Sequence, residues 1–474
     1  MRAGSILFSF FFMAAAALAG ETIALEADFS KPHAKGEFRA LHGGNGGALQ
    51  GGGILDLTER FKEMGTPLLR LHDCHWPNPD VVDIHTLFPN FAADPEDPAS
   101  YDFRKTDEFI AATLKTGAKI VYRLGESIEH TKVRQHVHPP KNVAKWAAIC
   151  VGVVRHYNEG WANGFKHGIQ YWEIWNEPEN RPSMWSGTDA DYFALYETTA
   201  KALKSRWPEL KIGGPALGYT GKLEKGKFEP GEFMRAFLAH CKSRSAPLDF
   251  FSWHLYTADP GECVVRAAGI RAEMNRHGFE RAESHLNEWN LLPDNNWSPM
   301  MGLKTQGAPR EKYFARIGGA EGAAFTAAAL LNMQDSSIDQ ANYYSFESGG
   351  FGTFSQHGAP LKPFYALKAF NALLETPVRV EATGTVSVAV GGGLSRDKRS
   401  AAVLIANTGA KDQALKFTPK NLPWDGTTKW ELWVVDASLG LEVMHSGLLP
   451  AGGTLELNTD LKAPAVGLIR FKKE

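Results

Sequence analysis

The stretch Tyr171-Trp172-Glu173-Ile174-Trp175-Asn176-Glu177-Pro178 reads as an apolar strand that stops abruptly at Asn-Glu-Pro. Pro178 has no N–H to continue a ladder, so Glu177 is left at the carboxyl end of the strand. A second apolar strand carries a carboxylate in the same way, in Ser284-His285-Leu286-Asn287-Glu288-Trp289-Asn290. Working outward from these two, short apolar runs recur at 38–42, 67–72, 119–124, 171–175, 211–214, 250–254, 284–287 and 342–346. Amphipathic stretches of helical period lie between them, at 142–157, 189–206, 232–243 and 312–333. Eight such units predict an α/β chain whose residues 38–376 form a (β/α)8 TIM barrel, with strands four and seven carrying the two glutamates. A doubly wound sheet is the rival architecture, and it lacks a glycine fingerprint opening a helix.

Beyond Thr376-Pro377 the texture changes to short alternating strands between turn clusters, so residues 377–474 read as a β-sandwich accessory domain. Residues 20–37 hold an alternating segment expected to add a strand to it. Residues 1–19 have the form of a signal peptide: Arg2, an apolar run at 6–13, and Ala17-Leu18-Ala19 as the cleavage site. That run is shorter than the roughly 20 residues a spanning helix needs, so the expected product is secreted or periplasmic with no membrane span. Four cysteines in 474 residues form no C-x-x-C pair and are too few for a disulfide framework. With 51 Lys and Arg against 53 Asp and Glu, the chain lacks the basic surplus of a nucleic-acid binder. Its 13 Trp and 12 Tyr supply flat, half-polar faces of the kind that stack on sugar rings.

Two carboxylates facing one another across a barrel mouth are what glycoside hydrolysis requires, one as acid and one as base or nucleophile. The competing reading makes Glu177 and Glu288 ordinary surface acids. Their matched positions, each after Asn and before Pro or Trp, favour the chemical one.

Further motifs stand in order along the chain. They are Pro139-Pro140-Lys141, the run 172–178, Tyr192-Phe193 with Leu195-Tyr196, Ile212-Gly213-Gly214-Pro215-Ala216, Ser252-Trp253-His254-Leu255-Tyr256-Thr257, Asn287-Glu288-Trp289-Asn290, Gly349-Gly350-Phe351-Gly352 and Lys362-Pro363-Phe364-Tyr365. On these the sequence resembles glycoside hydrolase family 39 of clan A, the family of β-xylosidases and α-L-iduronidases. Asn-Glu-Pro alone is shared across the clan; the ordered set is specific. The resemblance implies retaining hydrolysis, with Glu177 as general acid and then base, and Glu288 as the nucleophile. It also implies that Asn176 bonds the hydroxyl next to the anomeric carbon, that Tyr256 or His254 donates to Glu288, and that His72 contacts the sugar. No cofactor is implied.

Other residues carry two readings each. Arg70 is either a buried partner of the carboxylates or a substrate contact, and Trp289 and Tyr344 are either sugar platforms or core. The loop 291–307, with Trp297, Met300 and Met301, is long enough to wall a pocket. The glycine-rich stretch 42–47 reads as a tight loop beside the sugar, since no Gly-Lys-Ser/Thr follows it to make a phosphate cradle. His72, Asp73 and His75, or His136 and His138, have a metal-like look, but retaining glycosidases need no metal. The chain departs from the family at Tyr122-Arg123-Leu124-Gly125-Glu126-Ser127, at Asp73-Cys74-His75-Trp76, and at the eighth strand, where no tryptophan appears and Glu347 alone represents an acidic pair. Arg123, Glu126 and Glu347 therefore join the candidate substrate-binding residues. Arg123 either reads the carboxylate or sulfate of an acidic sugar or pairs with a barrel acid. The expected enzyme is exo-acting on a plant or algal polysaccharide; an endo-acting glycanase and a non-catalytic carbohydrate-binding protein are the alternatives. Trp424, Trp430 and Trp433 are the residues through which the accessory domain would bind sugar.

Overall fold

A computed structural model describes residues 22–74, 80–129, 131–300, 307–409, 414–451, 455–459 and 461–474. The leader read at 1–19, together with His75, Trp76 and Met301, lies outside the described residues. Among those described, no helix is long and apolar enough to cross a membrane.

Eight parallel strands close into a barrel in chain order: β1 (Gly43–Asn45), β2 (Leu68–Leu71), β3 (Lys119–Leu124), β4 (Tyr171–Ile174), β5 (Lys211–Leu217), β6 (Phe250–Thr257), β7 (Glu283–Leu291) and β8 (Gln340–Tyr343). Both faces of such a sheet are covered, which is why β3 is buried from Ile120 to Leu124 instead of alternating. Two of the outer helices start where a side chain satisfies their first N–H groups. Asn142 Oδ1 accepts from Lys145 N at 3.0 Å ahead of Val143–Asn158, and a reciprocal Thr188/Asp191 capping box opens Asp189–Arg206.

Two elements differ from the sequence expectation. The first strand is not 38–42 but Gly43–Asn45, within the run expected to be a loop. Strand propensity argues against glycine, yet here neighbours fill the space a side chain would need. A Cβ on Gly44 would lie 2.3 Å from the Phe346 ring, and one on Gly47 would lie 2.2 Å from that of Phe109. The helix expected at 312–333 is two helices, Ala308–Ile317 and Ala320–Met333, broken at Gly318-Gly319. The chain doubles back so tightly there that a Cβ on Gly322 would sit 1.7 Å from the Ile317 carbonyl oxygen.

The accessory layer is one sheet of nine strands into which the N-terminal strand Ile23–Glu37 is inserted. That strand pairs antiparallel with Val378–Thr383 and parallel with Leu415–Lys420. Phe29 on it meets Phe471 on Ala465–Lys473 at 6.0 Å between ring centroids. The two strands are four places apart in the sheet, roughly 19 Å if it were flat, so the sheet folds over on itself into a sandwich. Ser400–Asn407 shows the resulting division of faces. Ala401, Val403 and Ile405 fill the sandwich interior, while Ala402, Leu404 and Ala406 pack into the barrel's hydrophobic core. Trp430 and Trp433 are partly buried against these two cores, and Trp424 Nε1 donates to Thr428 Oγ1 at 2.8 Å. All four cysteines are free and buried.

Because Phe346 occupies the space over Gly44, Gly44→Ala should destabilise the protein by about 1–3 kcal/mol through overpacking. Chemical denaturation would show this as a lower midpoint with an unchanged slope.

Candidate active site

Local backbone irregularities place the two glutamates. After Ile174 the chain passes through left-handed conformations at Trp175 (φ 71°) and Glu177 (φ 45°), uncommon for residues other than glycine. Neighbouring strands hold this turn: Trp175 N donates to Leu124 O at 2.8 Å, and Glu177 N donates to Ala216 O at 3.0 Å. The Trp175 indole is buried and donates to Met184 O at 2.9 Å.

On the opposite side, β7 runs on to Leu291 and contains one residue more than either neighbour. Trp253 pairs with Leu286 but His254 pairs with Glu288, while on the other edge Leu286 pairs with Ala341 and Trp289 with Tyr343. The extra residue falls at Asn287. In a regular strand successive side chains alternate between faces, but this bulge lets Asn287 and Glu288 both reach polar partners inside the barrel. Asn287 Nδ2 donates to Glu173 Oε1 at 2.5 Å, and Glu288 accepts from Arg70 Nη1 and from the Tyr256 hydroxyl, each at 2.9 Å. Trp289 is consequently turned outward, 1% exposed, against Tyr343 and Phe325. It belongs to the core and is not the sugar platform considered above.

Arg70 lies beneath both glutamates and is fully buried. Its Nε donates to Glu173 Oε2 at 2.6 Å, Nη1 to Asn45 Oδ1 at 3.1 Å as well as to Glu288, and Nη2 to Asn176 Oδ1 at 2.7 Å. Burial works against the guanidinium charge, and Glu173 and Glu288 more than offset it. Of the two readings of Arg70, the structure supports the partner of the carboxylates.

Above this layer His254 Nδ1 sits 2.8 Å from Glu177 Oε1 and 3.4 Å from Glu288 Oε2. Asn180 Nδ2 donates to the other Glu177 oxygen at 2.9 Å. Burial raises Glu288 above the ordinary carboxylate range, against the pull of His254 and Arg70. Burial acts on Glu177 as well, but the His254 hydrogen bond and charge outweigh it and hold Glu177 below that range. Oxygens of the two carboxylates and a His254 nitrogen all lie within 4.8 Å of one another.

The sequence profile of Glycosyl hydrolases family 39 matches residues 69–408, most of the chain and nearly all of the barrel. The chain belongs to this family. Over 275 residues it is 29% identical to a β-xylosidase of Geobacillus stearothermophilus, covering 50% of this chain and 48% of that one. Over 354 residues it is 25% identical to a β-xylosidase of Caldicellulosiruptor saccharolyticus, covering 67% of this chain and 64% of the other. These matches thus span about half to two thirds of the curated relatives' length. Among solved structures, a glucosidase from Croceicoccus marinus superposes with a TM-score of 0.79 at 25% identity, over 96% of this chain and all of that one.

The rest of this family 39 site lies along the ends of β2, β3 and β8. His72 Nε2 is 3.7 Å from Glu288 Oε1 and 3.4 Å from Asp73 Oδ2. The Tyr344 hydroxyl donates to Asp73 Oδ2 at 3.2 Å, and its ring stands edge-on to Tyr256. Trp297, 41% exposed on the loop after β7, packs on Tyr256 at 5.1 Å. Glu347 is buried beside Gly46, where a Cβ would meet its side chain at 2.5 Å.

Arg123 does not reach this space. It is fully buried, with Nη2 donating to Asp83 Oδ1 at 2.5 Å and Nε to His72 Nδ1 at 3.2 Å, so it positions His72 instead of reading a substrate acid. Glu126, also proposed as a substrate contact, is bound closely to His85 Nδ1, whose Nε2 bonds Asp80 at 3.0 Å. His136 is stacked on the His85 ring at 3.6 Å, and His138 bonds Ser186, so the two histidines of that pair part company.

Sequence reasoning missed Asp83, His85, Glu173 and Asn287. For Glu173 a signal existed, an acid in mid-strand among apolar residues. Asp83 and His85 stand in no pattern of their own.

Arg70→Met would leave Glu173 and Glu288 without their buried cation and should cost about 3–5 kcal/mol, measurable by urea unfolding. Burial works against the His85 charge, but Asp80 and Glu126 hold its pKa up at about 10. A raised folded-state pKa means that the stability from His85 is full below its unfolded value near 6.5 and lost as pH rises through about 10. Measured against His85→Gln, the wild-type advantage should therefore shrink across that window.

Proposed function

We propose that this family 39 protein is a retaining exo-glycosidase that releases a neutral terminal sugar from a plant or algal polysaccharide outside the cytoplasm. The supporting observation is the spacing of the carboxylates. Oxygens of Glu177 and Glu288 approach within 4.8 Å. Retaining enzymes hold their two carboxyl groups about 5–5.5 Å apart, whereas inverting ones leave about 6.5–9.5 Å for a water molecule.

In this reading Glu288 attacks the anomeric carbon as Glu177 protonates the departing glycosidic oxygen, giving a glycosyl ester on Glu288. Glu177 then takes a proton from water, whose oxygen displaces the ester. Tyr256 and Arg70 donate to Glu288 and favour its ionised form. Asn176, its oxygen committed to Arg70, has its amide N–H groups left for a sugar hydroxyl. Glu177 must enter the first step protonated, and the hydrogen bond from His254 works against that.

The electrostatics favour a neutral sugar over the acidic or sulfated one considered above. Asp73 and Glu347 lie on the same side as the catalytic glutamates, and Arg123 is neutralised by Asp83. Carboxylates accept well from hydroxyls and repel a substrate anion. β-Xylosides and glucosides, the substrates suggested by the names of the relatives, are both neutral. The apolar leader at 1–19 supports export.

Proton NMR of early hydrolysis of 4-nitrophenyl β-xyloside and β-glucoside tests the proposal, with the product anomer expected to match the substrate. Early appearance of the opposite anomer would overturn it. Glu288→Ala should abolish turnover. Glu177→Ala should slow an alkyl glycoside about 100- to 10,000-fold while sparing a 2,4-dinitrophenyl glycoside, whose leaving group needs no acid.

A further inference from the structure

Directly after the acid/base comes a second glutamate, in Asn176-Glu177-Pro178-Glu179-Asn180. The end of β5 and the residues after it run beside both glutamates. Glu177 N is bonded to Ala216 O, and a Cβ on Gly218 would lie 2.5 Å from Glu177 Oε1. The next residue, Tyr219, donates its backbone N–H to Glu179 Oε1 at 2.8 Å. Glu179 Oε2 is buried, and no donor among the described residues reaches it. No Lys, Arg or His among them forms an ion pair with Glu179, although many exposed acids of this chain have one. A half-buried carboxylate with one oxygen shut away from water, one neutral donor and no cation is costly to ionise.

We propose that Glu179 is a positioning residue for the acid step, which with Glu177 holds a single proton between two carboxyl groups and so keeps the general acid supplied through neutral pH. This inference rests on the assignment of Glu177 as the acid.

The charges around the pair act in a consistent way. Glu177 is faced by His254 from β6, by Glu288 from β7 and by the charge of Arg70 from β2. Glu179 is faced by Glu177 and His254 and by the Tyr219 N–H. Burial, with the Glu177 charge added to it, pushes Glu179 up to about 8. Two interacting acids lose their protons in steps that belong to the pair, so the second proton leaves only when both must be charged at once. In glycosylation that proton goes to the glycosidic oxygen, the C–O bond breaks with its electrons passing to the leaving group, and the pair is left with two negative charges. It regains a proton from the attacking water in the second step.

The test is the pH dependence of kcat/KM for Glu179→Gln on an alkyl glycoside. With the second carboxyl gone, the alkaline limb should move to lower pH by at least about one unit, while the acid limb, set by Glu288, stays in place. The shift should vanish with a 2,4-dinitrophenyl glycoside, and Glu179→Asp should return the limb toward wild type. An alkaline limb that does not move, or a uniform loss at every pH, would overturn the proposal, the latter because it marks a merely structural residue. Glu177→Gln measured alongside separates the two levels. If that variant keeps full activity on the alkyl glycoside, the assignment of the acid itself fails. If it loses that activity while Glu179→Gln keeps the wild-type profile, only the role of Glu179 fails.

Discussion

A guanidinium group with no access to water is the constraint around which this barrel is arranged. Arg70 has its donors turned toward Asn45 on β1, Glu173 and Asn176 on and beyond β4, and Glu288 on β7. A cation removed from water is tolerable only when its donors meet acceptors, so each partner is fixed in turn. Glu288 has one oxygen tied to Arg70, which leaves the other to Tyr256. Asn176 is oriented by the same group, and Glu173 is held from its far side by Asn287. The layer carrying Glu177 and Glu288 thus rests on a polar floor whose members cannot be rotated one at a time.

Regular secondary structure alone would not present these groups together. Period-two alternation would send Asn287 and Glu288 to opposite faces of β7, and an uninterrupted β4 would not deliver Asn176 and Glu177 in sequence. One inserted residue and two left-handed backbone conformations overcome these limits, and the buried indoles of Trp175 and Trp289 pack the places where the chain departs from regularity. The irregular backbone accordingly lies at the carboxyl ends of the strands, where the barrel's side chains need no longer interlock in layers.

Much of this was legible in the sequence because it is written in local patterns. The alternation of apolar runs with helical stretches gave the barrel, and Asn-Glu-Pro gave the end of β4. What was misjudged depended on partners distant in the chain. The glycine run 42–47 read as a loop because nothing local says that Phe346 and Phe109 will fill the room its missing side chains leave. Arg123 stood open between a substrate contact and a pair with a barrel acid because its partner Asp83 stands on another loop, without periodicity to mark it. Trp289 stood open between platform and core because a bulge reverses the face of every residue after it, and a bulge has no signature in one sequence.

The insertion of Ile23–Glu37 between Val378–Thr383 and Leu415–Lys420 bears on how the chain comes to be folded. Its two neighbours are synthesised almost last, nearly the whole chain later. The accessory sheet must therefore wait with a gap between Val378–Thr383 and Leu415–Lys420, and the first strand must stay unpaired, until those late segments have been made. Contacts between such remote segments close slowly. For the export proposed above that delay would be useful, since the sheet could not lock before the polypeptide had emerged on the far side.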